Sequence, residues 1–383
     1  MKLRRLEVVN FRNHTHTALE CGEEVNGLIG ENGQGKTNLL EAISYVCLTK
    51  SFFGTADSVA MQVGQNQFAV GGELIGDSGV RYNVGVMYDT EVREKRYAIN
   101  GSPIERFADV VGEFPVVVLS AEGGLITIGG PAERRKFMDF VIAQSSRSYL
   151  EDLLEYRRVL RQRNKVLLDA KLSRRDYGDL LEIWSVELIS RGAKIMLKRK
   201  AFADALQLLV QDSYRKLAGD REVPGMRYRP SVEGDEQEDE EGIRQRFGRE
   251  LERRRGEEER SATTAVGPHR DELEMVINGL NARKYASQGQ HKTFLIALKF
   301  AEFAYLRQQR NERPILLLDD IFGELDTQRS EHLLDLISPL GQAFVTATSE
   351  KILPARINWG EGNRKFLVQE GAVVYNEAGS YIR

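Results

Sequence analysis

Two kinds of hydrophobic pattern run along this chain, and the change from one to the other divides it. From residue 1 to about residue 125 the apolar positions come in short runs. Lys2 to Val9 reads as a strand, and Asn26-Gly27-Leu28-Ile29 as the end of another. Gly79 to Tyr88 alternates, with Val80, Tyr82, Val84 and Val86 on one face, the period of a half-buried strand. Asn100-Gly101 marks a hairpin tip, because both central residues of a type I′ turn need positive φ. Pro115 to Ser120 reads as a buried strand. Between the strands, Leu39, Leu40, Ile43 and Val46 form the apolar stripe of a helix over Asn38–Val46.

Past Gly130 the strand signal stops and a helical period takes over until about Leu217. Leu153, Leu160 and Leu167 are spaced by heptads, and Leu150, Leu154, Val159 and Val166 widen the stripe. Leu181, Trp184, Leu188, Gly192 and Ile195 make a second stripe, with Ser173 and Asp176 to Asp179 punctuating between them. The spacing predicts a short, coiled-coil-like helical hairpin, each helix on the order of 45 Å long at about 1.5 Å per residue. Seven acids in Glu233–Glu241 predict a loop, and Arg244–Arg260 a helix of mixed charge. Strand character returns at Leu273–Leu280. A long helix over Thr293–Leu306 and strands at Ile315–Leu318 and Phe344–Thr346 follow. The expected organisation is an α/β head of mixed sheets, residues 1–125 and 262–383, interrupted by a helical arm, residues 126–261.

Composition narrows the class. The chain has 383 residues, 41% hydrophobic and 29% charged, as a globular protein with a sizeable core has. A net charge of −3 leaves no global nucleic-acid footprint, so any DNA surface must be local. One segment is locally basic: residues 126–200 carry 17 Lys+Arg against 10 Asp+Glu. Arg157, Arg158, Arg161 and Arg163 lie there on one predicted helix and are the candidate DNA contacts, sequence-independent and salt-sensitive. No apolar run approaches the roughly 18 residues of a membrane span, and no apolar stretch follows the charged N-terminus as in a signal peptide. Two cysteines, Cys21 and Cys47, make no disulfide framework, so the expected compartment is the cytoplasm. His14 and His16 read as surface residues rather than a metal pair.

The chemistry begins at Gly30-Glu31-Asn32-Gly33-Gln34-Gly35-Lys36-Thr37, which matches the phosphate-binding P-loop. The glycines allow a tight turn whose N–H groups converge on phosphate, Lys36 supplies a point charge, and the Thr37 hydroxyl suits Mg²⁺. The predicted strand before the loop and helix after it are the context this motif needs, with phosphate on the helix N-terminus. Ile315 to Leu318 ends in Asp319 and Asp320. Acids at the C-terminal edge of a buried strand fit Walker B, with Asp319 on Mg²⁺ and Asp320 as the base for water. Lys36, Asp319 and Asp320 are thus the candidate catalytic set, and Thr37 with Asp319 the candidate metal ligands.

Ser287-Gln288-Gly289-Gln290, ahead of the helix that leads into Walker B, resembles the signature motif of ABC-type ATPases. Gly323-Glu324-Leu325-Asp326 resembles their D-loop. Asn10-Phe11-Arg12-Asn13, the P-loop, Gly267-Pro268-His269-Arg270-Asp271-Glu272 and Leu318 to Asp326 together resemble the RecF family, related to the heads of structural-maintenance-of-chromosomes proteins. The resemblance implies an ATP- and Mg²⁺-dependent, slow DNA-stimulated ATPase of replication and recombinational repair. Its ATP would bridge two copies, with Ser287, Gln288, Gly289 and Asp326 of one against the phosphates of the other. Arg12 matches a position that contacts nucleotide phosphate in related heads. The implied partners are single- and double-stranded DNA at gaps or junctions, a second copy in an ATP-dependent homodimer, and RecO and RecR. Departures are visible. Glu122 stands where ABC proteins carry the Q-loop glutamine, in a loop unlike the family's; Phe53 replaces an arginine; Asp320 replaces the transporter glutamate; and no switch histidine follows Thr346. The rival expectations are an ATP-clamped DNA-binding module without turnover and a transporter ATPase subunit.

Overall fold

A computed structural model describes residues 1–376, apart from 174–176, 233, 235–238, 325–326, 338–339, 356 and 361. The chain runs β1 (Lys2–Phe11), β2 (His14–Glu20), β3 (Val25–Ile29), α1 (Lys36–Leu48), α2 (Asp57–Ala60), β4 (Gln67–Ile75), β5 (Arg81–Asp89), β6 (Glu94–Ile99), β7 (Ser102–Pro103) and β8 (Val116–Leu119). Then come α3 (Leu125–Ile128), α4 (Pro131–Ser145), α5 (Arg147–Ser173), α6 (Gly178–Ala218), β9 (Pro224–Arg229), α7 (Glu240–Arg253), α8 (Arg255–Ser261), β10 (Glu272–Ile277), β11 (Leu280–Asn281) and α9 (Ala282–Tyr285). The last part is α10 (Gln288–Arg310), β12 (Ile315–Leu318), α11 (Thr327–Ile337), β13 (Ala343–Ala347), β14 (Arg364–Gln369) and β15 (Ala372–Asn376).

Two compact units form, residues 1–123 with 299–383, and residues 124–298. The first boundary falls where the hydrophobic period changes. The second falls within α10, whereas the head is expected to return at residue 262. Residues 262–298 group with the helices because β10 pairs antiparallel with β9, Met275 opposite Met226, and β9 packs on α6. β9 escapes a reading of pattern because it is short and opens on Pro224-Gly225. Proline is tolerated at the first position of a strand.

In the first unit, α1 packs between two sheets. One has the order β15-β14-β3-β13-β12-β8, parallel from β14 to β8. Its inner strands β3, β12 and β13 are buried at every residue. Helices or sheets on both faces require such near-continuous apolar runs. The other sheet is antiparallel, order β2-β1-β4-β5-β6-β7. Phe11 of β1, Tyr45 of α1 and Phe68 of β4 meet edge to face with ring centroids 5.3–5.4 Å apart. Such pairs add about 0.5–1.5 kcal/mol each beyond the area they bury. Because both sheets cover α1, burial extends past the predicted stripe to Glu41, Ser44 and Cys47. Cys21 and Cys47 are buried free thiols.

In the second unit, α5 and α6 pack together as the expected hairpin, 27 and 41 residues long, or about 40 and 60 Å. The punctuation at Tyr177-Gly178 lies just where α6 starts. Leu153, Tyr156, Val159, Val166 and Leu167 on α5, and Leu188, Ile195, Met196 and Phe202 on α6, are core. α7 approaches α6 closely at Gly192, where a Cβ would lie 2.5 Å from the Phe247 ring.

Charges thread this core. Arg199, 2% exposed, donates to Asp139, Asp271, the Tyr149 hydroxyl and the Pro268 carbonyl. The Arg134 guanidinium forks onto Glu272 at 2.7 Å through both Nε and Nη2. Arg163 donates to Glu258 (2.6 Å), Thr264 (2.8 Å) and Ser185 (3.0 Å). The Gly267–Glu272 run therefore serves here as the hub of the helical unit. His269 completes it. Its Nε2 lies 3.1 Å from the Thr264 carbonyl, an acceptor, so that nitrogen carries the proton and Nδ1 accepts from the Tyr156 hydroxyl at 2.7 Å.

Burial pulls the His269 imidazole down from 6.5 to about 4, helped by the charges of Arg270, Arg135 and Arg163 and opposed by the Thr264 bond. The folded pKa is the lower one, so the unfolded chain takes up the proton first as pH falls. The stability held by neutral His269 is full above pH 6.5 and is lost as pH falls from 6.5 toward 4. Between pH 7 and pH 5 that is about 2 kcal/mol. His269→Gln is therefore expected to show a smaller loss of unfolding free energy over that interval than the wild type. Equal losses in the two proteins would overturn the assignment.

Candidate functional site

β3 is followed directly by the P-loop, which α1 continues from Lys36. Gly33 and Gly35 take φ of 80° and 110°, the left-handed region that side chains avoid. Gly35 has a second reason to be glycine: a Cβ there would lie 2.6 Å from Asn13 Oδ1 and 2.7 Å from His14 Nε2. Gly30 is closed off likewise, its Cβ position 2.2 Å from the Val368 carbonyl of β14. Glu31, Asn32 and Gly33 are exposed on the loop. Gln34 is tied to the β14–β15 turn, its Oε1 accepting from Glu370 N–H.

Lys36 is 7% exposed, and its ammonium donates to the Gly30 and Glu31 carbonyls at 2.6 and 2.8 Å. Burial lowers its pKa from the ordinary value, against the opposing charges of Asp320 and Asp319. The P-loop and Walker B acids thus share one electrostatic site, as their order along the chain predicts. Their direct link is Asp319. Its Oδ1 accepts the Thr37 hydroxyl at 2.7 Å and the Thr346 hydroxyl at 2.9 Å. Asp320 follows with φ of 52°, its N–H donating to Thr346 Oγ1 at 2.8 Å. Thr346 was not singled out as a site residue in the sequence. Its signal is position: a hydroxyl at the end of a buried strand, beside Walker B across a parallel pairing of β12 and β13.

A hydroxyl and a carboxylate that already face each other at 2.7 Å suit a small hard cation that takes one or two protein oxygens and fills the rest of its shell with water and phosphate. Among the described residues no cluster of three His, Cys, Asp or Glu could hold a metal without such a ligand. The donor set therefore fits Mg²⁺ carried with a nucleotide.

Arg12, expected to reach nucleotide phosphate, lies on the outer side of α1. Its guanidinium forks onto Glu41 of α1, 2.7 Å on each arm, and also donates to the Val59 carbonyl and the Thr55 hydroxyl. Glu41 is wholly buried, and an uncompensated carboxylate there would be costly, so the pair ties Arg12 to α1.

The signature residues lie in the second unit. Ser287 and Gln290 cap α10 reciprocally: Ser287 Oγ accepts from Gln290 N–H at 3.2 Å, and Gln290 Oε1 accepts from Ser287 N–H at 2.8 Å. This is a capping box. Gln290 is also anchored by its amide on Glu222 at 2.8 Å. The cap leaves the Ser287 hydroxyl proton free to donate, and Ser287 and Gln288 are exposed at a helix start whose first N–H groups have no acceptor within the helix. Asp326 of the D-loop lies outside the described residues, as do the side chain of Glu122 and most of the acidic Glu233–Glu241 stretch.

The four candidate DNA contacts separate. Arg163 is 3% exposed in the ion pair with Glu258, which removes it from any DNA surface. Its place in the heptad pattern, three residues after Leu160 and four before Leu167, puts it on the same face as the apolar stripe. Arg157 pairs with Asp139, and Arg158 pairs with Glu155 and lies over the Trp184 ring. Arg161 is exposed, with Lys165 one turn further on. Arg134 and Arg199, from the flanking basic clusters, are structural for the same reason as Arg163. Among the described residues no helix is long and apolar enough to cross a membrane.

Comparison with known proteins agrees with this arrangement. The family described as RecF/RecN/SMC N terminal domain matches residues 2–358. The DNA replication and repair protein RecF of Chloroherpeton thalassium is 41% identical over 354 residues, 92% of this chain and 96% of that one. That of Salinibacter ruber is 38% identical over 91% of this chain and 85% of its own. Among solved structures, the recombination mediator protein RecF-ATPrS in the RecFOR pathway superposes with a TM-score of 0.89 at 32% identity, covering 97% of each chain. An Smc head domain derived from Pyrococcus furiosus, at 16% identity and a TM-score of 0.56 over 97% of this chain and 94% of that one, shares the fold. With the P-loop, the Walker B acids and the capped signature helix all in place, the chain belongs to the RecF family of DNA replication and repair proteins, built on the ABC-type ATPase head.

Proposed function

We propose that this chain binds Mg²⁺-ATP at the Gly30–Thr37 loop and uses it to join two copies on DNA. The observation that carries the reading is Asp319, which accepts hydroxyls from Thr37 and Thr346 beside Lys36. A solved relative is RecF-ATP, which supports ATP as the nucleotide. Lys36 would leave the loop carbonyls for the phosphates, and Thr37 and Asp319 would hold Mg²⁺. The ion supplies Lewis-acid charge at the phosphates. Asp320 would accept a proton from water, and slow hydrolysis would reset the assembly.

The capped start of α10, with Ser287, Gln288 and Gly289, is an anion site that its own chain leaves exposed. In this reading it meets the γ-phosphate on the partner copy, with Asp326 alongside. ATP then acts as a ligand that favours the assembled state. Arg161, and Arg157 and Arg158 once released from their surface pairs, would contact DNA phosphates, at single-strand gaps or junctions. The RecFOR pathway of the solved relatives supports RecO and RecR as partners in recombinase loading. We place the protein in the cytoplasm. The alternative of an ATP clamp without turnover keeps every contact named here except the role of Asp320.

Sizing in the presence and absence of Mg²⁺-ATP tests assembly. Lys36→Met is expected to lose nucleotide binding and the ATP-dependent dimer together. Ser287→Arg is expected to bind ATP as a monomer and fail to dimerise. Mixing the two proteins restores partial assembly, because one of the two composite sites escapes both changes. If Ser287→Arg abolishes ATP binding by the monomer, the signature acts within its own chain and the sandwich is wrong.

Asp320→Asn is expected to bind ATP normally and to lower turnover by at least about a hundredfold, the lower range of general-base contributions. A variant that hydrolyses at the wild-type rate would leave the ATP clamp as the better reading of Asp320.

For DNA, the slope of log affinity against log salt is about −0.9 per phosphate neutralised. Arg161→Ala with Lys165→Ala is expected to make it shallower by about two such contacts, with ATP binding retained. Arg163→Met is expected instead to destabilise the fold by about 3–5 kcal/mol, since it leaves Glu258 buried and unpaired. An unchanged slope in the double variant would place the DNA surface off α5.

A further inference from the structure

The P-loop is gripped from outside by side chains to which the P-loop motif itself gives no role. Arg12, Asn13 and His14, consecutive where β1 turns into β2, hold the loop and the helix that follows it. Arg12 forks onto Glu41 of α1. Asn13 donates through Nδ2 to the Gln34 carbonyl at 3.1 Å and accepts at Oδ1 from the Asn38 amide at 2.8 Å. His14, wholly buried, has Nε2 3.0 Å from the Gly35 carbonyl. A carbonyl only accepts, so Nε2 carries the proton and donates. On its other side Nδ1 lies 3.0 Å from the Thr17 hydroxyl, which is itself 3.3 Å from the Gly371 carbonyl.

A second element closes on the same carbonyl. In the β14–β15 turn, Glu370 and Gly371 take φ of 48° and 72°. Gly371 N–H donates to the Gln34 carbonyl at 3.0 Å, beside the bond from Asn13. A Cβ on Gly371 would lie 2.0 Å from the Asn13 carbonyl, so the two turns are in contact and only glycine fits.

We propose that the β1–β2 and β14–β15 turns form a clasp that sets the P-loop for nucleotide phosphate, with Asn13 and His14 as its positioning residues. The logic is directional. For the N–H groups of Gly33 to Lys36 to converge on an anion, the peptide planes must turn their carbonyls outward. The Gln34 and Gly35 carbonyls take their donors from the clasp, and this fixes the peptide planes on either side of Gly35. Each carbonyl keeps a second donor, Gly371 N–H on Gln34 and Leu39 N–H on Gly35, so losing the Asn13 or His14 donor loosens those planes, and the ordering is then charged against phosphate binding. Asn13 and His14 touch no phosphate in this arrangement and act through the loop.

The inference rests on the nucleotide reading above, and one experiment separates the two. Mg²⁺-ATP and Mg²⁺-ADP affinities are measured for the wild type, Asn13→Ala, His14→Leu and His14→Gln, each with a thermal melt without nucleotide. Asn13→Ala and His14→Leu are expected to weaken both nucleotides equally, by about tenfold, the loss of one well-placed donor. His14→Gln, which keeps an N–H for the Gly35 carbonyl, is expected to recover most of that loss. A merely structural role would lower the melting temperature and leave the affinity of the folded protein alone. If His14→Leu does not fold, the half-buried Asn13→Ala carries the test. A wild type that binds neither nucleotide overturns the nucleotide reading. A wild type that binds while folded Asn13→Ala and His14→Leu match its affinity overturns the clasp.

Discussion

A loop that gathers its N–H groups around an anion must send its carbonyls the other way, and buried carbonyls need donors. Much of the first unit follows from that constraint. The Gly30 and Glu31 carbonyls are met from within by Lys36. The Gln34 carbonyl is met by Asn13 and Gly371, and the Gly35 carbonyl by His14 and by Leu39 N–H, the start of α1. These donors come from both ends of the chain, so residues 1–20 and 364–376 must fold onto the loop before it has its shape. The edge of the parallel sheet that carries β14 and β15 thereby supports the P-loop, although nothing in its composition resembles a binding motif.

Charge in the helical unit obeys the opposite constraint. A basic stripe on a predicted helix suggests solvent and polyanions, yet Arg134, Arg163 and Arg199 are inside, each matched to acid. Breaking any of these pairs leaves a buried charge, a larger penalty than the pair's own net contribution. The excess positive charge of this segment therefore overstates the surface it offers to DNA. The Gly267–Glu272 run is the acceptor side of the same network, through the Pro268 carbonyl, Asp271 and Glu272. Its role here is to organise a core around charges that must be satisfied.

What could be read from the sequence was what local pattern encodes. The P-loop with its strand and helix, the buried runs of β12 and β13, and the α5–α6 hairpin all follow from period and composition within some 15 residues. Residues whose meaning lies in distant contacts were not legible. His14 alternates with His16 and reads as surface; only the approach of Gly35 and Thr17 makes it core. Arg12 carries a motif that points to phosphate, and its pairing with Glu41, 29 residues on, is not part of that motif. Arg163 is separable from Arg161 by heptad position, since 163 falls on the buried side of the stripe, and a count of charge does not carry that distinction. β9 depends on one pairing, with β10, that no local window contains.

Asp320 shows how backbone and chemistry can select the same residue. Its φ of 52° lies in the left-handed region, where Asp and Asn are several-fold enriched and longer side chains are scarce. The conformation is held in place: the N–H is fixed on Thr346, whose hydroxyl proton is in turn given to Asp319. Gly323 leaves room beside the Asp320 carboxylate, which lies 3.3 Å from where a Cβ would stand. A glutamate at 320 would have to bear the left-handed backbone without the short side chain that makes it tolerable. The shorter carboxylate is thus what this turn accommodates, and its position is set by Thr346, through the backbone, as much as by its own length.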